Sequence, residues 1–142
     1  MTKFFSEEEH RKIIAAIKEA ESQTSGEIRL FIEAHSKVEV LDRAAFIFQK
    51  LGIHNTKNRN GVLFYIAHDD RHFAIIGGAG INSVVEDNFW DNIKEEMQKH
   101  FAEGKFAEGL IKGIRQSGDA LKKYFPYEQG DINELPDEIE SE

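Results

Sequence analysis

The stretch Val62-Leu-Phe-Tyr-Ile-Ala-His-Asp-Asp-Arg-His-Phe-Ala-Ile-Ile76 decides the fold. Residues 62–67 form a continuous apolar run, which is typical of a central strand that is buried on both faces. The polar residues 68–72 read as a tight turn, and residues 73–76 then return as an antiparallel strand. The sequence therefore predicts a β-hairpin in the middle of a sheet.

Helical and strand patterns alternate on both sides of this hairpin. The capping-box pair Ser6 and Glu9 starts the first helix, Asp42 is expected to cap the second, and Pro126 stops the last. The order is α-β-α-β-β-α-α, and the first strand, second helix and second strand form a right-handed crossover. We therefore predict an α/β protein, a three-layer αβα sandwich with a central mixed sheet of three to four strands. The predicted helices cover residues 7–22, 42–51, 85–101 and 106–124, and the predicted strands cover residues 27–34, 62–67 and 73–76.

Length and composition indicate one domain with one packed interior, because 142 residues contain 40% hydrophobic and 11% aromatic side chains. The chain has no cysteine, which excludes disulfides and thiolate metal sites. Its first residues lack the apolar segment of a signal peptide, and no apolar run reaches about 18 residues, so we expect no membrane span. We expect a monomeric cytoplasmic protein.

The net charge of −8 is concentrated at the C-terminus. Residues 126–142 contain seven acidic residues and no Lys or Arg, whereas residues 1–125 are almost neutral. We therefore expect a folded domain over residues 1–125 and an acidic, flexible tail over residues 126–142. Neither part has an excess of basic residues, which argues against nucleic acid as a partner.

The predicted topology brings three polar segments to one rim of the sheet. Two parallel strands start there and the antiparallel strand ends there, so residue 27 and the loops of residues 55–61 and 77–88 meet. Amide, carboxylate and glycine carbonyl oxygens suit Ca²⁺ or Mg²⁺, and we expect Gly77, Gly78 and Gly80 to leave their carbonyls accessible. The candidate metal ligands are Glu27, Asn58, Asn60, Asn82, Glu86 and Asp87.

Each of these features also has a structural interpretation. Asn and Gly residues are common in turns without binding anything, and Asp87 would stabilise the first turn of a helix. At the opposite end of the sheet, residues 68–72 offer two His and two Asp for a transition metal or for acid–base chemistry. We favour an ordinary hairpin tip there. Gly109 and Gly113 lie one helical turn apart, which indicates close approach of two helices.

Several separated pieces of the sequence, taken in order, resemble the TPM-domain family. That family includes thylakoid-lumen phosphatase-like proteins, photosystem II repair factors and receptor modulators. The resemblance covers about residues 7–125 and implies an αβα sandwich, divalent-metal binding near the sheet end, and the phosphatase activity assigned to a plant member. The matching pieces are residues 26–28, 42–48, 60–63, 70–71, 78–81, Asp87, Phe101, 104–106, 109–110 and 113–114.

Two functions follow, in order of preference. The first is a stand-alone, Ca²⁺- or Mg²⁺-binding TPM-like domain that acts as a binding or regulatory module for a protein partner of unknown identity. The alternative is a metal-assisted acid phosphatase, with Asp87 and Glu86 as nominal catalytic groups and Arg59 and Lys57 as the nearby cations. No nucleophile motif such as Gly-x-Ser-x-Gly is present. A third possibility is an adaptor that binds its partner through the acidic tail.

Overall fold

A computed structural model describes residues 4–127 and 139–141 of the chain. The central sheet is mixed and has the strand order β3-β2-β1-β4, in which β1 runs parallel to both of its neighbours and β3 runs antiparallel to β2. The helices are α1 (Glu7–Glu21), α2 (Val40–Lys50), α3 (Ala79–Asn82), α4 (Phe89–Ala102) and α5 (Phe106–Tyr124), and the strands are β1 (Glu27–Glu33), β2 (Gly61–Ala67), β3 (His72–Gly77) and β4 (Ile139–Ser141).

The helices cover both faces of the sheet, which confirms the three-layer αβα sandwich. Side chains of β1, β2 and β3 on one face pack against α1, α4 and α5, around Ile17, Phe64 and Leu110. The other face packs against α2, around Ile47 and Tyr65. Every residue of β2 is buried, as its continuous apolar run predicts.

Close helix packing on the first face depends on glycines of α5. A Cβ on Gly113 would lie 2.6 Å from Met97 Sδ on α4, and one on Gly109 would lie 2.8 Å from His100 Cβ. Both distances are shorter than real side chains tolerate. The prediction that these glycines allow close helix approach is therefore confirmed.

The structure corrects two helix starts. Helix α2 begins at Val40, and its cap is Glu39 rather than Asp42, because the Glu39 carboxylate accepts the N–H groups of Leu41 and Asp42 at 2.8 and 3.2 Å. Helix α4 begins at Phe89 rather than at residue 85. Residues 79–82 form the separate short helix α3, which buries Ile81 in the core.

The sequence did not predict strand β4, which pairs with β1 along Leu30–Ile32. The predicted flexible tail falls mainly on residues 128–138 and 142, which lie outside the described residues, so it stays a prediction. Before that segment, the chain is tied to the loop after α1, where Tyr127 N–H donates to Gln23 O at 3.1 Å. Among the described residues, none of the helices combines the length and the apolar character that a membrane span requires.

Candidate functional site

Backbone hydrogen bonds join the two loops that the sequence places on one rim, and we call this region the glycine rim (residues 55–61 and 77–88). Gly78 N–H donates to Gly61 O at 2.8 Å, and Gly80 N–H donates to Arg59 O at 2.8 Å. The sheet register agrees, since Glu27 pairs with Gly61 and Val62 pairs with Gly77. The structure therefore brings the starts of β1 and β2 and the end of β3 together, as predicted.

Glycine is needed where these loops touch. A Cβ on Gly80 would collide with the carbonyl oxygen of Asn58, and one on Gly78 would collide with the carbonyl oxygen of Arg59. Arg59 itself has a positive φ of 53°, which bends the loop back towards α3. Gly78 and Gly80 are therefore required for the close contact between the two loops, independently of any ligand.

Asn60 presents the most unusual polar group of the glycine rim. Its side chain is buried, and Nδ2 donates to Ser25 Oγ at 3.3 Å. Its Oδ1 is buried and accepts no hydrogen bond from any described residue. A buried amide oxygen without a donor is energetically unfavourable, so this atom would gain from a cation or a water molecule.

Other oxygens of the glycine rim are already used locally. Asn82 Oδ1 accepts from Trp90 Nε1 at 2.7 Å, and Asn82 Nδ2 donates to Gly77 O at 2.9 Å. The carbonyls of Gly78 and Gly80 accept from Asn82 N–H and Ser83 Oγ. The carbonyls of Gly77, Gly78 and Gly80 thus each already accept one hydrogen bond, so their accessibility to a cation stays a prediction. A cation at Asn82 would compete with the Trp90 indole.

Three predicted ligands remain open on the surface. Asn58, Glu86 and Asp87 are exposed, and their side chains form no hydrogen bond with any described residue. Asp87 precedes Asn88, the residue before α4, so it does not lie in the first turn of that helix. Glu27 differs from them, because it is only 1% exposed and lies within the sheet layer.

The described residues contain no cluster of charged or imidazole metal ligands, at the glycine rim or elsewhere. Within residues 4–127 and 139–141, no group of three His, Asp or Glu side chains is arranged to hold a metal ion. A site at the glycine rim would instead combine carboxylates with amide oxygens, which is acceptable for Ca²⁺. The residues Asn58, Asn60, Glu86 and Asp87 have the chemistry of such a site.

The opposite rim carries a clamp between the β2–β3 turn and the loop after β1. His35 Nδ1 lies 2.9 Å from Asp70 Oδ1, and Ser36 N–H donates to Asp70 Oδ2 at 2.7 Å. The hydrogen bond to Asp70 raises the pKa of His35, and the same bond, together with the Ser36 N–H, lowers the pKa of Asp70. Sequence reasoning missed His35 because no motif links it to a turn 35 residues away.

A buried ion pair lies on the α2 face of the sheet and was also missed. Arg43 Nε and Nη2 donate to the two carboxylate oxygens of Glu33 at 2.8 and 3.0 Å, and the Tyr65 hydroxyl donates to the same carboxylate. Burial alone would raise the pKa of Glu33, but the Arg43 and Tyr65 hydrogen bonds outweigh burial and lower it. Burial and the bond to Glu33 raise the pKa of Tyr65.

The phosphatase expectation gains no support from the cations near the glycine rim. Arg59 Nη1 donates to the carbonyls of His54 and Thr56, each at 3.1 Å, so this guanidinium is already engaged. A phosphoryl clamp needs such donors to be directed at the substrate. The activity stays a prediction from the resemblance.

Two features define the class of this domain. It is an αβα sandwich with a mixed sheet, and the glycine-rich loop after β3 is hydrogen-bonded to the loop before β2. The sequence matches the family described as the TPM domain over residues 1–120. The chain therefore belongs to the TPM-domain family. A search of curated proteins found no match.

Solved structures agree with this assignment. The BA42 protein from the psychrophilic bacterium Bizionia argentinensis is 46% identical, with a TM-score of 0.92 over 100% of this chain and 98% of that one. The N-terminal domain of a P. gingivalis protein is 21% identical, with a TM-score of 0.71 over 87% and 80% of the two chains. The N-terminal domain of cg2496 from Corynebacterium glutamicum is 17% identical, with a TM-score of 0.66 over 84% and 76%. The last two show the fold alone.

Proposed function

We propose that the chain is a TPM domain that binds Ca²⁺ or Mg²⁺ at the glycine rim and acts as a binding or regulatory module for a protein partner. The observation that carries the proposal is that the glycine rim contains an unsatisfied buried oxygen, Asn60 Oδ1, and also exposed side-chain oxygens that no described residue engages. Those oxygens belong to Asn58, Glu86 and Asp87. Oxygen donors of this kind are the ligands that both ions take in proteins.

The proposed module changes its surface when the ion binds. The two loops are joined through backbone bonds near Arg59 and Gly80, while residues 83–88 form turns around Val84, whose side chain is 40% exposed. A cation shared by the loops would order this turn and fix the position of Val84. An ordered apolar side chain beside a polar rim suits a protein partner.

Affinity should be modest. Only two carboxylates, Glu86 and Asp87, contribute full charge, and they lie just before α4, whose N-terminal end is itself positive. Sites with few charged ligands and flexible loops bind Ca²⁺ with a dissociation constant of about 10⁻⁴–10⁻³ M. We expect Mg²⁺ to bind more weakly, because it demands a rigid octahedral set of ligands.

Calorimetry and NMR titration with Ca²⁺ test the proposal. We expect saturable binding, with amide shifts confined to residues 55–61 and 77–88. The double variant Glu86→Gln/Asp87→Asn should weaken binding by at least about tenfold, because it removes both formal charges from the ligand set.

The matched control is Asp119→Asn, which removes one exposed carboxylate from α5, outside both loops. It should leave the affinity unchanged. Amide shifts spread over all acidic surface residues, or equal affinities for the wild type and the double variant, would show that the ion binds only by diffuse charge. Size-exclusion chromatography with and without Ca²⁺ tests the accompanying expectation of a monomer.

A further inference from the structure

We propose that an open cavity at the hairpin end of the sheet binds a small aromatic carboxylate. The cavity has a volume of about 670 Å³, which falls within the range of small-molecule sites in proteins. It lies between the β2–β3 turn, the end of α4 and the start of α5, and we call it the hairpin cavity. Because it is at the opposite end of β2 from the glycine rim, the proposal does not depend on cation binding.

A continuous series of aromatic rings forms one wall of the hairpin cavity. The ring of Phe73 on β3 contacts Phe101 on α4 edge to face, with centroids 4.9 Å apart. Phe101 in turn contacts Phe106 at 5.4 Å, and Phe106 contacts Phe4 at 5.3 Å. Phe4 and Phe106 remain partly accessible, so the wall presents aromatic surface to the cavity.

The wall already accommodates a phenyl ring in stacked geometry. Phe4 lies flat against the imidazole of His68, with centroids 4.7 Å apart and planes inclined by 12°. His68 Nε2 is buried there and has no hydrogen-bond partner among the described residues. The Phe4–His68 contact shows that flat stacking of rings is compatible with the geometry of this wall.

The charges at the mouth of the hairpin cavity favour an anion. Asp69 also lines the cavity, but its oxygens face His68 Nδ1 at 2.9 Å and His35 Nε2 at 3.6 Å. By contrast, the exposed side chain of Arg71 forms no hydrogen bond or ion pair with any described residue. Asp69 therefore already has polar partners, whereas the Arg71 guanidinium has none among the described residues.

Further positive charge lies next to the aromatic wall, because Lys94 Nζ sits 5.7 Å from the Phe73 ring centroid. The Arg71 guanidinium prefers to bind a planar carboxylate through two parallel hydrogen bonds. Combined with the rings, this preference selects a ligand with an aromatic body and one carboxylate. A neutral ring would leave the cations unused, and a small aliphatic acid would leave the wall unused.

Titrations of the full chain with phenylacetate, benzyl alcohol and acetate test the proposal. We expect phenylacetate to shift the amides of residues 66–73 and 98–106 and to bind at least about tenfold more tightly than either of the other two probes. Benzyl alcohol retains the ring without the charge, and acetate retains the charge without the ring.

Two variants examine the residues. Arg71→Asn removes the cation but suits the positive φ of 57° at this position, and it should weaken phenylacetate binding about tenfold. Ala102→Trp places a large ring at an exposed position of the lining and should abolish binding. Arg11→Asn on the exposed side of α1 is the control and should have no effect.

Three results would overturn the proposal. The first is equal affinity for phenylacetate and benzyl alcohol, which would mean unspecific apolar contact. The second is unchanged affinity in Arg71→Asn, and the third is a shift pattern on residues 55–61 and 77–88. Adding Ca²⁺ separates the two proposals, because it should shift the glycine rim alone.

Discussion

The buried pair of Glu33 and Arg43 provides a quantitative test of how this fold is stabilised. Arg43 lies on α2, and replacing it by Met keeps an apolar side chain of similar length but removes two hydrogen bonds to Glu33, at 2.8 and 3.0 Å. The side chains of Glu33 and Arg43 are 9% and 19% exposed, so the stranded carboxylate gains little water. Breaking a buried pair on one side typically costs about 3–5 kcal/mol, and we expect about 3 kcal/mol at pH 7 because Arg43 is partly exposed.

The pH dependence carries the sharper prediction. In the wild type the pKa of Glu33 is lowered on folding, so its contribution is present above the ordinary glutamate pKa and is lost as the pH falls through the lowered value. In Arg43→Met, burial is opposed by the Tyr65 hydrogen bond and the charge of Lys37 without the larger contribution of Arg43, so we expect the pKa of Glu33 to rise. Protonation then relieves the variant, so its deficit in the free energy of unfolding should shrink from pH 7 to about pH 4.5.

Urea unfolding followed by circular dichroism at both pH values measures this deficit. The double variant Glu33→Gln/Arg43→Met removes both charges and should recover part of the stability that Arg43→Met loses at pH 7. Its difference from the wild type in the free energy of unfolding should stay nearly constant from pH 7 to about pH 4.5. Tyr65→Phe should cost about 2 kcal/mol, because the carboxylate loses a donor. A deficit of equal size at both pH values would refute the reasoning, since it would mean that packing rather than charge makes the pair important.

Two further predictions concern the glycine rim and the His35–Asp70 contact at the opposite end of the sheet. Gly80→Ala forces a Cβ into the carbonyl oxygen of Asn58 and should lower the free energy of unfolding by more than about 2 kcal/mol. The control Gly52→Ala has a φ of 75° but no neighbouring atom near the new Cβ, and it should lower this free energy by only about 1 kcal/mol. Equal losses in chemical denaturation would contradict the steric explanation. The pKa of His35 should be raised above its ordinary value in an NMR titration, and Asp70→Asn should lower it towards that value. The contribution of this contact to stability should therefore be fully present below the ordinary histidine pKa and should be lost as the pH rises through the raised pKa. An unchanged pKa of His35 in the variant would contradict the contact.

Local patterns predicted most of the fold. The apolar run of β2 needed no partner to be recognised, because a strand buried on both faces is apolar throughout. The Ser6 and Glu9 capping box works within one helical turn, and the structure has both of its hydrogen bonds. Crossover handedness and strand direction then brought residues 55–61 and 77–88 to the same rim.

Features that depend on distant partners were not predictable in this way. Glu33 follows the alternating pattern of β1 as an ordinary outward residue, and only Arg43 and Tyr65, from two other elements, make it a buried charge. Strand β4 likewise exists through its pairing with β1. The start of α4 was misplaced because residues 83–88 form a connection between α3 and α4 rather than the first turn of a helix, which no spacing rule indicates.

The two ends of the sheet differ in how their polar groups are satisfied, and that difference decides what each end can do. At the glycine rim, backbone bonds hold the loops while Asn60 Oδ1 and the exposed side-chain oxygens of Asn58, Glu86 and Asp87 accept no hydrogen bond from any described residue, and these are the atoms that the proposed cation site uses. At the hairpin end, the carboxylates of Asp69 and Asp70 contact histidines, while the side chain of Arg71 has no hydrogen-bond or ion-pair partner in the described part of the chain. Strand β2 joins the two ends and is buried along its whole length in a densely packed interior, which resists continuous deformation. Ligands at the two ends should therefore bind additively, with a coupling free energy below about 0.5 kcal/mol.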